Sequence, residues 1–155
     1  MNNTTDINPT ISVLLDSFFG SYKPCAPRAL RERIALVRSH LCDYLEENGP
    51  RELTGPQLVI LEADRAFDPH GAFQRTMHAP ELYFALARYL HPASALPGEA
   101  QRGTQVDVVA ALASSLWSRR LISLGTVSEC DVIEFDIAME RARNVRRRSR
   151  KGYEP

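Results

Sequence analysis

The sequence predicts an all-α protein, a single compact bundle of five to six helices with a basic C-terminal tail. Apolar residues recur at intervals of three and four along most of the chain, which is the period of an amphipathic helix. Proline, glycine and capping residues separate these segments. The chain has 155 residues, of which 44% are hydrophobic and 25% charged, and this suits one globular domain. We expect a helical domain over residues 8–145 and a flexible basic tail over residues 146–155.

The first two predicted helices carry continuous apolar stripes. Residues 9–19 place five apolar side chains on one helical face: Ile11, Leu14, Leu15, Phe18 and Phe19. Residues 27–48 form a longer helix, for which Pro27 suits the first position and Pro50, after Gly49, is a stop signal. The stripe of this second helix comprises Leu30, Ile34, Val37, Leu41, Tyr44 and Leu45.

The middle of the chain predicts two further helices and a short one between them. Thr54 and Gln57 have the spacing of a capping box, which begins a third helix over residues 54–66. A turn at residues 68–71 leads to a short helix within 72–78. The fourth helix, over residues 80–90, is apolar on all sides, so we expect it in the middle of the fold.

A long loop is predicted between the fourth and fifth helices. Residues 91–103 contain two prolines and two glycines, which favour the longest and most mobile connection of the chain. The fifth helix follows over residues 104–124, and Gly125 is placed to end it.

The sixth helix starts at a Thr126 or Ser128 cap and runs to residue 145. Its early turns are acidic and its late turns basic, which complements the helix dipole. A short turn joins it to the fifth helix, as in a helix–turn–helix. Carboxylates at its start would repel DNA phosphates, so we do not expect it to read a groove. They belong to Glu129, Asp131, Glu134 and Asp136.

Charge is distributed unevenly, although the net charge at pH 7 is zero. Residues 141–155 hold seven basic residues against one acidic residue. Basic side chains laid on phosphates release counterions, so such an end favours sequence-independent contact with nucleic acid. The candidate phosphate-binding residues are Arg143, Arg146, Arg147, Arg148, Arg150 and Lys151. Binding to an acidic protein surface, or a solvated helix end with no specific role, would explain the same pattern.

The sequence predicts no catalytic residue, cofactor or metal site. Two acidic residues and two histidines lie close together in the sequence and could form a metal site or an acid–base pair, but they match no catalytic motif: Asp64, Asp68, His70 and His78. Three widely spaced cysteines do not form a disulfide framework and fit a reducing compartment: Cys25, Cys42 and Cys130. No apolar run is long enough to cross a membrane and no secretory signal is present, so we expect a soluble, cytoplasmic protein without a membrane partner.

Three consecutive motifs are similar to part of a known family. Ser17-Phe18-Phe19 ends the first helix, Arg-Ile-x-x-Val-Arg-x-x-Leu-x-x-Tyr-Leu spans residues 33–45, and Leu53-Thr54 opens the third helix. In this order they resemble the helical core-binding region of tyrosine recombinases (phage integrases). The resemblance covers residues 14–61, about a third of the chain. It implies duplex DNA binding through helix surfaces and basic side chains, without the catalytic domain of that family and without its catalytic residues.

These observations predict a small, non-enzymatic, nucleic-acid-associated protein that contacts phosphates through its basic C-terminal end. The alternative is a helical protein–protein interaction or regulatory module that docks through an apolar stripe and binds no nucleic acid. Residues 1–140, the body of the chain, hold 18 acidic residues against 12 basic ones, and this acidic excess favours the alternative. The sequence leaves the oligomeric state open.

Overall fold

Seven α-helices form the part of the chain that the structure, a computed structural model, describes: residues 8–151 without the side chain of Arg150. They are α1 (Ile11–Ser21), α2 (Arg28–Asn48), α3 (Gly55–Phe67), α4 (Ala72–Thr76), α5 (Ala79–Tyr89), α6 (Glu99–Ser118) and α7 (Glu129–Lys151). Short 3-10 helices, Gly49–Glu52 and Pro92–Ser94, follow α2 and α5. The prediction of an all-α fold is confirmed.

The central helix is α5, which corresponds to the fourth predicted helix. It packs against α1, α2, α6 and α7, and six of its eleven residues are buried. The ring of Tyr83 stacks on Phe135 of α7 with centroids 4.9 Å apart. The hydroxyl of Tyr89 lies 2.8 Å from His40 Nδ1 of α2. Because aromatic side chains point from α5 toward both α2 and α7, this one helix fixes the positions of its neighbours.

Helix α6 begins earlier than predicted. Its first residue is Glu99, five residues before the expected start at Thr104. The backbone N–H of Gly98 donates a hydrogen bond to Gln101 Oε1 at 3.2 Å, and this satisfies one group at the helix start. The predicted loop over residues 91–103 is therefore shorter, because its last five residues belong to α6.

Helix α6 also ends earlier than predicted, at Ser118 instead of Leu124. Arg120 has a left-handed backbone conformation with φ of 57°. The N–H of Leu121 then donates to the carbonyl of Leu116 at 3.0 Å, which is the hydrogen bond of a Schellman motif. Glycine is the usual residue at this position, so an arginine gives no signal in the sequence.

Helix α7 continues to Lys151, six residues past the predicted domain boundary at Val145. Arg146 fastens this last part to α6, because its Nη1 donates to Asp107 Oδ1 at 3.1 Å. The guanidinium also lies against Gly103, where an added Cβ would be 3.2 Å from Arg146 Cζ. The predicted residues 152–155 of the tail lie outside the described residues.

We predict that Gly49→Ala destabilises the fold. Gly49 is buried beneath the ring of Phe73, and a Cβ at this position would lie 2.6 Å from Phe73 Cε2. Forcing that ring to move should lower the free energy of unfolding by about 1–3 kcal/mol. Urea denaturation measures the change.

Gly20→Ala is the matched control, because nothing lies within 4 Å of a Cβ at this helical position. Alanine favours a helix over glycine, so this variant should be as stable as the native protein or up to about 1 kcal/mol more stable. Equal unfolding midpoints for Gly49→Ala and the native protein would contradict the packing described for Phe73.

Candidate nucleic-acid interface

The predicted phosphate-binding residues do not share one surface of α7. Arg143 and Arg147 are exposed on one side of the helix, in a depression that also contains the carboxylates of Asp136 and Glu140. Arg148 is exposed too, but five residues from Arg143 it lies about 140° away around the helix. Lys151 is exposed as well. The side chain of Arg150 lies outside the described residues.

Arg146 differs from the other candidates because it is already engaged. Its side chain is 34% exposed, pairs with Asp107 and covers Gly103. An arginine held in this way stabilises the contact between α6 and α7.

A groove of about 890 Å³ lies on the other side of α7, and five arginines line it. Its walls are the end of α2 with the following 3-10 helix, the end of α5 with the segment after it, the start of α6, and α7. The arginines come from all of these segments: Arg51, Arg88, Arg102, Arg141 and Arg146. Two glutamates, Glu99 and Glu134, line the same groove. Basic groups of the body thus join those of α7, which the sequence alone did not predict.

The floor of the groove is apolar. Small and aliphatic side chains from α5 and the residue after it, from α6 and from α7 form it: Ala87, Leu90, Val106, Ala138 and Ala142. A groove with apolar walls and a few charged groups has a low local dielectric, which strengthens the field of those charges.

The arginines of the groove differ in what neutralises them. Arg88 pairs with Glu52 at 3.0 Å and Arg146 pairs with Asp107. Arg102 donates to the carbonyl of Pro97 at 3.0 Å and forms no ion pair with the described residues. Within residues 8–151, Arg51 and Arg141 form no ion pair. The groove therefore keeps three cationic side chains available for an anionic ligand.

A buried glutamine, Gln105, fixes the wall of the groove. It is 2% exposed, and its Oε1 accepts a hydrogen bond from the N–H of Leu96 at 3.0 Å. Its Nε2 donates to the carbonyls of Tyr89 and Ser94 at 3.2 and 3.1 Å. One side chain thus holds the segment between α5 and α6, which the sequence predicted as a mobile loop. The sequence feature that could have indicated this role is a polar glutamine among the apolar residues of α6.

Tyr44 contributes a neutral hydroxyl to the same groove. Burial raises the pKa of Tyr44, and this outweighs the opposite effect of the Arg88 and Arg51 guanidiniums nearby. The phenol therefore stays protonated at neutral pH. It offers a hydrogen-bond donor and a half-buried ring beside the arginines.

The four residues considered for acid–base chemistry have structural contacts. Arg75 donates to Asp64 Oδ2 at 2.7 Å and to the carbonyl of Asp68 at the same distance, and it also contacts the carbonyl of His70. His78 precedes α5, where its Nδ1 lies 3.2 Å from the carbonyl of Pro9. Asp64 and Asp68 are thus brought together around an arginine, whereas His78 forms an isolated β-bridge with Thr10.

Within the described residues, no three His, Cys, Asp or Glu side chains converge on a possible metal position, and all three cysteines are free. The helices of residues 8–151 include none with the length and apolarity needed to traverse a lipid bilayer.

Comparison with protein-family models, curated proteins and solved structures finds no match to this chain. The resemblance of residues 14–61 to the core-binding region of tyrosine recombinases therefore stays a prediction.

We predict that Arg146→Ala lowers stability whereas Arg147→Ala does not. The first variant removes a partly exposed ion pair and the packing of the arginine stem on Gly103, which together contribute about 1 kcal/mol. Arg147 is exposed and makes no ion pair with the described residues. Thermal unfolding of the two variants measures the difference, and equal midpoints would show that Arg146 does not fasten α7.

Proposed function

We propose that the protein is a non-enzymatic nucleic-acid-binding protein that holds the phosphate backbone in the groove between α2, α5, α6 and α7. The observation that carries this proposal is the convergence of arginines from four separate segments on one groove. Three of them, Arg51, Arg102 and Arg141, have no carboxylate partner within the described residues. Toward the end of α7, exposed Arg148 and Lys151 extend this binding surface, whereas Arg143 and Arg147 lie outside it.

The chemistry of the side chains suits phosphate. A guanidinium presents a planar fork of donors that matches two phosphate oxygens, and such charge-assisted hydrogen bonds are the strong ones. The apolar floor and the ring of Tyr44 supply surface on which sugars and bases can lie. Contacts of this kind are made to the phosphate backbone and to the faces of the bases, which do not distinguish one base from another. Binding is therefore expected to be independent of sequence.

The length of α7 gives the bound strand a path out of the groove. From Arg141 to Lys151 the helix advances about 15 Å, which equals four to five backbone steps of one nucleic-acid strand. Exposed Arg148 and Lys151 lie along this path. The end of α7 is then the outer part of a site whose inner part is formed by α2, α5, α6 and the segments that follow α2 and α5.

Two carboxylates oppose the proposed ligand. Glu99 and Glu134 line the groove, and their negative charges repel phosphate. We therefore expect Glu134→Gln to bind nucleic acid more tightly than the native protein, with the larger gain at low salt. Fluorescence anisotropy with a labelled oligonucleotide measures the effect. Weaker binding by Glu134→Gln would contradict the proposal that phosphates lie in the groove beside Glu134.

The proposal predicts the salt dependence of binding. Replacing Arg51, Arg102 and Arg141 together with alanine should weaken binding at low salt by at least tenfold. Each lost phosphate contact should also reduce the slope of log K against log salt by about 0.7 for a single strand and about 0.9 for a duplex. Anisotropy titrations at several salt concentrations measure both quantities, with one single-stranded and one duplex oligonucleotide of unrelated sequences.

Arg31→Ala is the matched control, because Arg31 is exposed on α2 about 20 Å along the helix from Tyr44. It should bind as the native protein does. A chain truncated after Ala142 separates the contribution of the tail, and it should retain part of the affinity because Arg51, Arg102 and Arg141 remain. Native affinity in the triple variant, or no binding by the native protein at low salt, would refute the proposal.

A further inference from the structure

Helix α3 turns an apolar face toward solvent. The exposed side chains of its outward face are all apolar and recur at helical spacing: Pro56, Val59, Ile60, Ala63, Ala66 and Phe67. Val59 is 71% exposed, Ile60 54% and Phe67 94%. Leu61 is the one residue of α3 that the structure buries, on the opposite side of the helix. We call this outward surface the α3 face.

The α3 face has no cover within the described residues. Among the described elements, α3 packs mainly against the short helix α4. Its one buried residue, Leu61, lies opposite the α3 face. Single exposed apolar side chains are ordinary on a protein surface, but a contiguous stripe along a whole helix marks an interaction site.

We propose that a second copy of this chain covers the α3 face, with the two α3 helices antiparallel about a two-fold axis at Ala63. Four of the other five residues of the α3 face are placed symmetrically about Ala63, whereas Pro56 has no counterpart in α3. In this arrangement Val59 of each copy lies opposite Phe67 of the other, and Ile60 lies opposite Ala66. Ala63 meets its own copy on the axis, where its small side chain allows the helices to approach closely. A two-fold contact needs this self-complementary pattern.

The charges beside the α3 face permit self-association. Glu62 pairs with Arg65 of the same helix at 3.2 Å. On the other flank, Asp64 pairs with Arg75 at 2.7 Å. Because arginines of the same chain neutralise both carboxylates, two identical faces can approach without strong repulsion.

The size of the α3 face sets the strength of the contact. A helix of 13 residues is about 20 Å long, so the face offers less than the roughly 800 Å² per partner of a standard stable interface. The expected dimer is therefore weak and forms at micromolar or higher concentrations. The residues of α3 do not line the arginine groove, so the proposed contact uses none of the residues that line it.

Sedimentation velocity of the full chain over a wide concentration range tests the proposal. The native protein should shift from monomer to dimer as concentration rises, and Val59→Glu should stay monomeric at every concentration. Ile133→Glu is the matched control, because Ile133 is 57% exposed on α7. It should dimerise like the native protein. Far-ultraviolet circular dichroism of each variant confirms that the helices remain folded.

Disulfide trapping tests the register. In a background of Cys25→Ser and Cys130→Ser, which removes the two exposed thiols, Ala63→Cys should form a covalent dimer on mild oxidation. Ser39→Cys, at an exposed position of α2, should not. A native protein that stays monomeric, a dimer that Val59→Glu leaves intact, or equal trapping at residues 39 and 63 would each overturn the proposal.

Discussion

The arginine groove depends on one buried amide. Gln105 hydrogen-bonds the carbonyl of Tyr89 at the end of the central helix, and it also holds Leu96 and Ser94 in the segment that follows. Without these bonds, buried backbone groups would lose their partners, at a cost of about 1–3 kcal/mol each. The amide therefore fixes the distance between α5 and the start of α6. That distance sets the position of Arg102 relative to Arg51 and Arg88.

The placement of α7 decides which arginines face the groove. The Tyr83 ring of α5 stacks on Phe135, and Arg146 fastens the far end of α7 to Asp107. With both contacts made, the rotation of the helix is fixed. Arg141 then faces the groove, whereas Arg143 and its neighbours on that side face a separate depression. The function proposed for the basic end thus rests on packing contacts.

Much of the fold could be predicted from local patterns, whereas the site could not. The apolar stripe of α2 and the capping box at Thr54 are interactions within a few residues, and both predictions are confirmed. The end of α6 was missed because Arg120 adopts a left-handed backbone conformation, which arginine rarely adopts and glycine usually supplies. The groove was missed because its arginines are far apart in the chain. The α3 face was hidden because the apolar residues of a helix have the same spacing whether they are buried or exposed.

The most direct test of the groove is an NMR titration that resolves the Nε–Hε groups of the arginines. An unlabelled oligonucleotide of mixed sequence is added at low salt, and the arginine signals are assigned by substitution. Phosphate binding in the groove predicts progressive shifts for Arg51, Arg102 and Arg141, and almost none for Arg31. Shifts confined to the residues after Val145, with the groove signals unchanged, would contradict the account and restrict binding to the end of α7.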